Sequence, residues 1–159
     1  MMISNNVPNV ELCHELKTLG FPQKQPGFFW VKTDQFEYEL CFVHKNTIII
    51  LGNIRSNIDI DNGLIKAPTL AELKEFLPSS IYSDSGRYWL EYIVSDNHIS
   101  ILYNRGTFDG GTYDCLFLVR DNSEADARAK AVIELARRCL TEAFDLQVGE
   151  DYVSKKVTE

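Results

Sequence analysis

Hydrophobic runs separated by polar turns dominate the second half of the chain. Arg87-Tyr-Trp-Leu-Glu-Tyr-Ile-Val94, Ile99-Ser-Ile-Leu-Tyr-Asn104 and Tyr113-Asp-Cys-Leu-Phe-Leu-Val-Arg120 are rich in aromatic and β-branched residues and bounded by turn formers. That pattern predicts three strands, the first two joined through Ser95–His98. The period then changes. From Ser123 onward Ala125, Ala129, Val132, Ala136 and Leu140 recur at spacings of three and four, the stripe of a helix lying on a sheet. Ser123, followed three residues later by Asp126, is a start signal of the capping-box kind with Asp in place of Glu.

The first half carries the same kinds of signal. Asn9 can cap a helix over Val10–Leu19, with Leu12, Cys13, Leu16 and Leu19 on its buried stripe, and Gly20 is placed to end it. Phe28–Lys32 reads as a short aromatic strand. Phe36–Val43 starts with Phe36, Tyr38 and Leu40 inward and Glu37 and Glu39 outward, and turns through His44–Asn46 into Thr47–Leu51. The unbroken apolar run of that last strand predicts cover on both faces. Polar Asn53–Gly63 precedes a short strand, Leu64–Lys66. Thr69 and Glu72 then form a T-x-x-E capping box for a helix with Leu70, Leu73, Phe76 and Leu77 on one face, stopped by Pro78. Ser79–Gly86 reads as a flexible connector.

These elements predict one α+β domain over residues 1–145, with three helices on a mainly antiparallel sheet of five to seven strands. Residues 146–159 form a polar tail expected to be mobile. Asn46–Asn53 and Asn97–Asn104 share Asn, Ile, Ile, Leu and Asn in register. Both halves can be read as hairpin, loop, strand and helix, so an internal repeat is one reading and convergence of two hairpins is the other.

Composition narrows the function classes. At 159 residues the chain can bury about two-thirds of its unfolded surface. A net charge of −7 with interspersed signs argues against neutralising nucleic-acid phosphates. No apolar run reaches a membrane span and the N-terminus has no signal-peptide pattern, so a cytoplasmic location is expected. The four cysteines, Cys13, Cys41, Cys115 and Cys139, lack C-x-x-C spacing and are expected to be buried thiols rather than a disulfide or metal framework.

Candidate chemistry is sparse. Asp59–Gly63 resembles part of a calcium loop, but the required Gly and Glu positions hold Asn62 and Pro68, which leaves a polar turn. Cys13 and His14 diverge on a helix and cannot pair as nucleophile and base. The tyrosines and Trp89 are read as core and half-buried sheet faces. Asn104–Tyr113 is the best recognition candidate: its glycines sit beside Arg105, Phe108 and Asp109, but no phosphate-loop Lys follows and the next element is a strand. Arg105, Phe108 and Asp109 are therefore the expected binding residues, with no catalytic residue, metal or cofactor expected.

Three stretches, Glu11–Gln23 with Phe28–Trp30, Ala67–Leu73 with Leu77-Pro78, and Glu124–Lys130 continuing to Leu135, resemble small uncharacterised proteins of phages and prophages of Bacteroides-type gut bacteria. The resemblance implies a mobile-element origin and assigns no activity. The expected function is a non-enzymatic interaction protein with a protein partner, for example an inhibitor of a host defence protein; a homo-oligomer is compatible with it. The opposing readings are a small enzyme using Asp109 or Asp114 with Arg105 or a histidine, and an assembly subunit. Carboxylates of mutually shifted pKa in a cleft would favour the enzyme, and a flat apolar patch the binder.

Overall fold

A computed structural model describes residues 6–32, 38–45, 47–50, 53–55, 63–83, 86–106 and 114–139. Three helices and nine strands are arranged as α1 (Val10–Thr18), β1 (Gly27–Lys32), β2 (Tyr38–His44), β3 (Thr47–Ile50), β4 (Asn53–Arg55), β5 (Leu64–Lys66), α2 (Leu70–Glu75), β6 (Ser80–Ser83), β7 (Gly86–Val94), β8 (Ile99–Arg105), β9 (Asp114–Asp121) and α3 (Glu124–Cys139). The α+β class and the three helices agree with expectation. The single sheet of five to seven strands does not: the strands form one five-stranded sheet, β4-β3-β2-β1-β5, and one four-stranded sheet, β6-β7-β8-β9, all pairs antiparallel.

Two strands escaped sequence reading. β4 lies in the polar stretch after Leu51, and β6 lies in the supposed connector Ser79–Gly86. Neither has a strand-like composition of its own; each becomes a strand because a neighbour supplies its ladder. The topology gives no evidence of duplication. β5 crosses to the far side of β1, whereas β9 pairs beside β8, so the strands preceding the two helices occupy unlike places.

Helix ends follow the local chemistry. Asn9 accepts from the Leu12 N–H at 3.0 Å. At the other end the Gly20 N–H reaches the Lys17 carbonyl and the Phe21 N–H reaches Leu16, with Gly20 at φ 95°. This is the paired-bond helix stop that needs a left-handed residue. The Thr69 and Glu72 capping box is complete, at 2.8 and 3.2 Å. At α3 only half of the expected box forms: the Asp126 N–H donates to Ser123 Oγ at 3.3 Å. The Asp126 carboxylate instead accepts from the Asn9 backbone N–H at 2.7 Å and from Asn9 Nδ2 at 3.1 Å. It thereby ties the start of α3 to the start of α1.

α1 stands between two apolar cores. Leu12, Leu16 and Leu19 join α2, α3 and the inner face of the four-stranded sheet (Ile81, Tyr88, Ile101, Tyr103, Phe117). Val10 and Cys13 meet Phe28, Trp30, Tyr38, Leu40 and Ile65 on the five-stranded sheet. The other face of that sheet is also buried, through Phe29, Val31, Cys41, Val43, Ile48 and Leu64, so β3 is covered on the face that carries Ile48. α3 buries more than its expected stripe. Ala127, Ala131, Ile133 and Leu135 are buried along with Ala125, Ala129, Val132 and Ala136, because α1, α2, β8 and β9 all pack on it. Alanines allow that close approach.

β5 carries one buried charge. Lys66 is 2% exposed, yet its ammonium meets Glu72 Oε1 at 2.9 Å and the Lys24 carbonyl at 3.0 Å, 5.1 Å from the Phe29 ring centre. Glu72 thus closes the α2 cap with one oxygen and neutralises Lys66 with the other. No helix among the described residues is long and apolar enough to cross a membrane.

Cys13 and Cys41 are buried free thiols, as expected. Burial pushes Cys13 up to about 12 and Cys41 up to about 11. Cys115 departs from the expectation: it is exposed, on a β9 position opposite Asn104, and partial burial with the neighbouring Asp114 raises its pKa. Iodoacetamide on the native protein should therefore label Cys115 while Cys13 and Cys41 stay unmodified until denaturant is added, as read by peptide mass spectrometry. Labelling of Cys13 in the folded protein would contradict its burial.

Candidate functional site

Period two along β7 divides its side chains. Tyr88 points into the core, so Arg87, Trp89, Glu91 and Ile93 point outward. Register extends this face across the sheet. Trp89 lies opposite Asn104, Glu91 opposite Leu102 and Ile93 opposite Ser100. On β9, Leu118 lies opposite Leu102 and Arg120 opposite Ser100, while on β6 Tyr82 lies opposite Arg87. Trp89 is 51% exposed, and Ile93, Leu118 and Tyr82 are also exposed. Large apolar side chains therefore share a sheet face on which none of the three described helices packs.

Polar groups hold this face in shape. The Arg87 guanidinium donates twice to Ser80 Oγ, at 3.0 and 2.7 Å, and stacks 4.1 Å from the Trp89 ring and 5.3 Å from that of Tyr82. Arg120 Nε donates to Ser100 Oγ at 3.2 Å. A bulge between Tyr103 and Asn104 shifts the β8–β9 register. Beside it Asn104, 8% exposed, donates from Nδ2 to Glu91 at 3.3 Å, while its Oδ1 is buried and has no partner among the described residues.

The expected binding residues divide. Phe108 and Asp109 lie outside the described residues. Arg105 ends β8 instead of opening a loop, on Tyr88's side of the sheet. Its guanidinium is 3.5 Å from Asp114 Oδ2, which also accepts from the Tyr88 hydroxyl at 2.6 Å. Gly86, at φ +128°, leaves room for it: a Cβ there would stand 2.8 Å from Arg105 Nη1. Arg105 is thus partly structural, beside the binding role expected of it. The calcium-like stretch, apart from Gly63, and Tyr113 also lie outside the described residues.

Trp89 is half exposed, within the expectation of a core or half-buried sheet face but absent from the expected binding residues. Glu91 two residues on marks its face as the solvent side once Tyr88 and Leu90 point inward. Shifted carboxylates do not assemble into an acid–base pair. Glu72 is lowered because its bonds with Thr69 and Lys66 outweigh its burial, and Asp121 because Lys130 and the Ser123 N–H outweigh its own. Both serve helix ends. The shallow groove between α1, α3 and β9 is lined by charges that pair with one another, Glu15 and Glu134 with Arg137, and Lys130 with Asp121. No protein-family model, curated protein or solved structure matches the chain.

Proposed function

We propose that the protein is a non-enzymatic interaction protein that docks a partner protein on the outer face of its four-stranded sheet. The observation that carries this reading is that Tyr82, Trp89, Ile93 and Leu118 are all exposed and share one face of the sheet, with Trp89 half exposed. Large apolar side chains exposed on one face mark contact surfaces. Trp and Arg are the side chains most enriched in interface hot spots, and the Arg87 stack holds Trp89 in place before any partner arrives. The resemblance to phage and prophage proteins extends the proposal to a partner in the bacterial host, a defence protein being the class such an inhibitor would act on.

The test uses the full chain as bait in a lysate of a Bacteroides-type gut bacterium, beside a Trp89→Ala, Leu118→Asp variant. Both substitutions lie on exposed positions, so thermal stability should be nearly unchanged. A partner captured by the native chain should bind the variant at least about tenfold more weakly, equivalent to ~1.4 kcal/mol. A partner held equally by both would place recognition elsewhere and overturn the proposal.

A further inference from the structure

The two sides of β7 are paired over different stretches. Its second part pairs with β8, from Trp89 opposite Asn104 to Val94 opposite Ile99. On its other side β6 pairs with Gly86 to Trp89, and the Leu90 N–H bonds the Ser79 carbonyl. There the chain leaves the sheet through Pro78, whose carbonyl accepts from Tyr103. Beyond it, β7 continues as an edge among the described residues.

Parity shows which groups that edge presents. Leu90 bonds toward β6, and Ser95 bonds toward the β8 side through His98. In an antiparallel ladder alternate residues bond to opposite sides. Glu91 and Ile93 therefore bond β8, while the backbone N–H and C=O of Tyr92 and Val94 point away from it. Neither residue has a backbone hydrogen bond on that edge among the described residues. The segment is also apolar and open: Tyr92, Ile93 and Val94 are all exposed, Val94 at 77%.

Natural edges are usually blunted by charge or cover. β9, the opposite edge, is blunted: it carries Arg120 and Asp121, and Lys130 caps the Arg120 carbonyl at 3.3 Å. Among the described residues no side chain caps a carbonyl of the edge at Tyr92–Val94, and none of its three residues is charged. We propose that it is a strand-addition site, at which an extended segment of the partner protein pairs with Tyr92 and Val94 and continues the place of β6 in the sheet. This rests on the reading that the chain is an interaction protein and adds the mode of contact. Charge selects the occupant. Glu91 and Asp96 flank the edge, and the nearby Arg128 is already neutralised by Glu124 at 2.6 Å. The net acidic surroundings favour a segment that alternates apolar with basic residues. They disfavour a second copy of this chain, which would bring the same carboxylates across the two-fold axis.

The probe is a capped eight-residue peptide alternating valine with lysine, added to the full chain. Amide hydrogen exchange followed by NMR should slow at least tenfold at Tyr92 and Val94 on saturation. The same peptide N-methylated on its valine amides, which cannot complete a ladder, should give no slowing. Val94→Pro removes one edge donor without touching the β8 ladder; it should weaken the peptide at least tenfold at unchanged Tm. If that variant fails to fold, the N-methylated peptide still decides. Unchanged exchange at Tyr92 and Val94 in millimolar peptide would overturn the strand-addition site. Loss of partner capture by the Trp89→Ala, Leu118→Asp variant would then show that face docking survives by itself. Amides already protected without peptide, together with a dimer mass in sedimentation that Val94→Pro abolishes, would make the occupant a second copy and overturn the peptide assignment.

Discussion

Leu73→Ala should lower stability by about 2–5 kcal/mol, read from urea unfolding. Leu73 is the fully buried residue of the short helix α2, at 0% exposure. It shares a cluster with Leu77, Ile81, Tyr103 and the buried side of α3. Truncation removes transfer free energy and leaves a cavity whose walls come from three helices and a sheet, so little collapse can follow. The exposed neighbour Lys74 serves as control: Lys74→Ala should stay within about 0.5 kcal/mol. A Leu73→Ala effect as small as that control would show that α2 does not pack where the structure places it.

The second large effect belongs to the buried charge. Glu72→Gln keeps the side-chain shape but strands the Lys66 ammonium among the Lys24 and Pro26 carbonyls. Removing one partner of a buried pair costs about 3–5 kcal/mol. Glu72 itself is 36% exposed, and solvent screening brings the expectation to about 2–3 kcal/mol at pH 7. The pH dependence separates charge from shape. Partial burial of Glu72 raises its pKa, but its bonds with Thr69 and with Lys66 outweigh that and hold it below the usual carboxylate range. A carboxylate lowered on folding contributes stability above its unfolded pKa and loses it as pH falls through the folded one. The native chain and Glu72→Gln should therefore differ most near neutrality and converge as pH drops below about 4. Asp121, also lowered, is common to both proteins and cancels in the comparison. A difference that stays constant down to low pH would assign the loss to the cap instead of the ion pair.

Local chemistry made much of this molecule legible from sequence. Asn9, Gly20, Thr69 with Glu72, and Pro78 act within a few residues of themselves, and each starts or stops its helix as its side chain or φ requires. The three strands after Gly86 and the apolar stripe of α3 were legible too, because burying one face imposes a period that composition displays. The surface that supports a function was less legible. Trp89 reads from sequence as core or as half-buried sheet face, because hydrophobicity alone does not say which sheet face is covered. The answer depended on Tyr88, Leu90 and three helices meeting on the other side.

What only tertiary structure decided has one physical origin: pairing energy lies between segments, not within them. Ser80–Ser83 and Asn53–Arg55 become strands because β7 and β3 offer them ladders, and the expected single sheet is two because, among the described residues, no ladder joins the β1–β5 set to the β6–β9 set. Asp126 left its expected local partner for Asn9, 117 positions away in sequence, and Lys66 became buriable because Glu72 reaches it from the next element. The unpaired edge at Tyr92–Val94 follows the same rule. The run Arg87–Val94 specifies a strand by itself; that its second half lacks a neighbour on one side among the described residues depends on where Pro78 takes the chain out of the sheet.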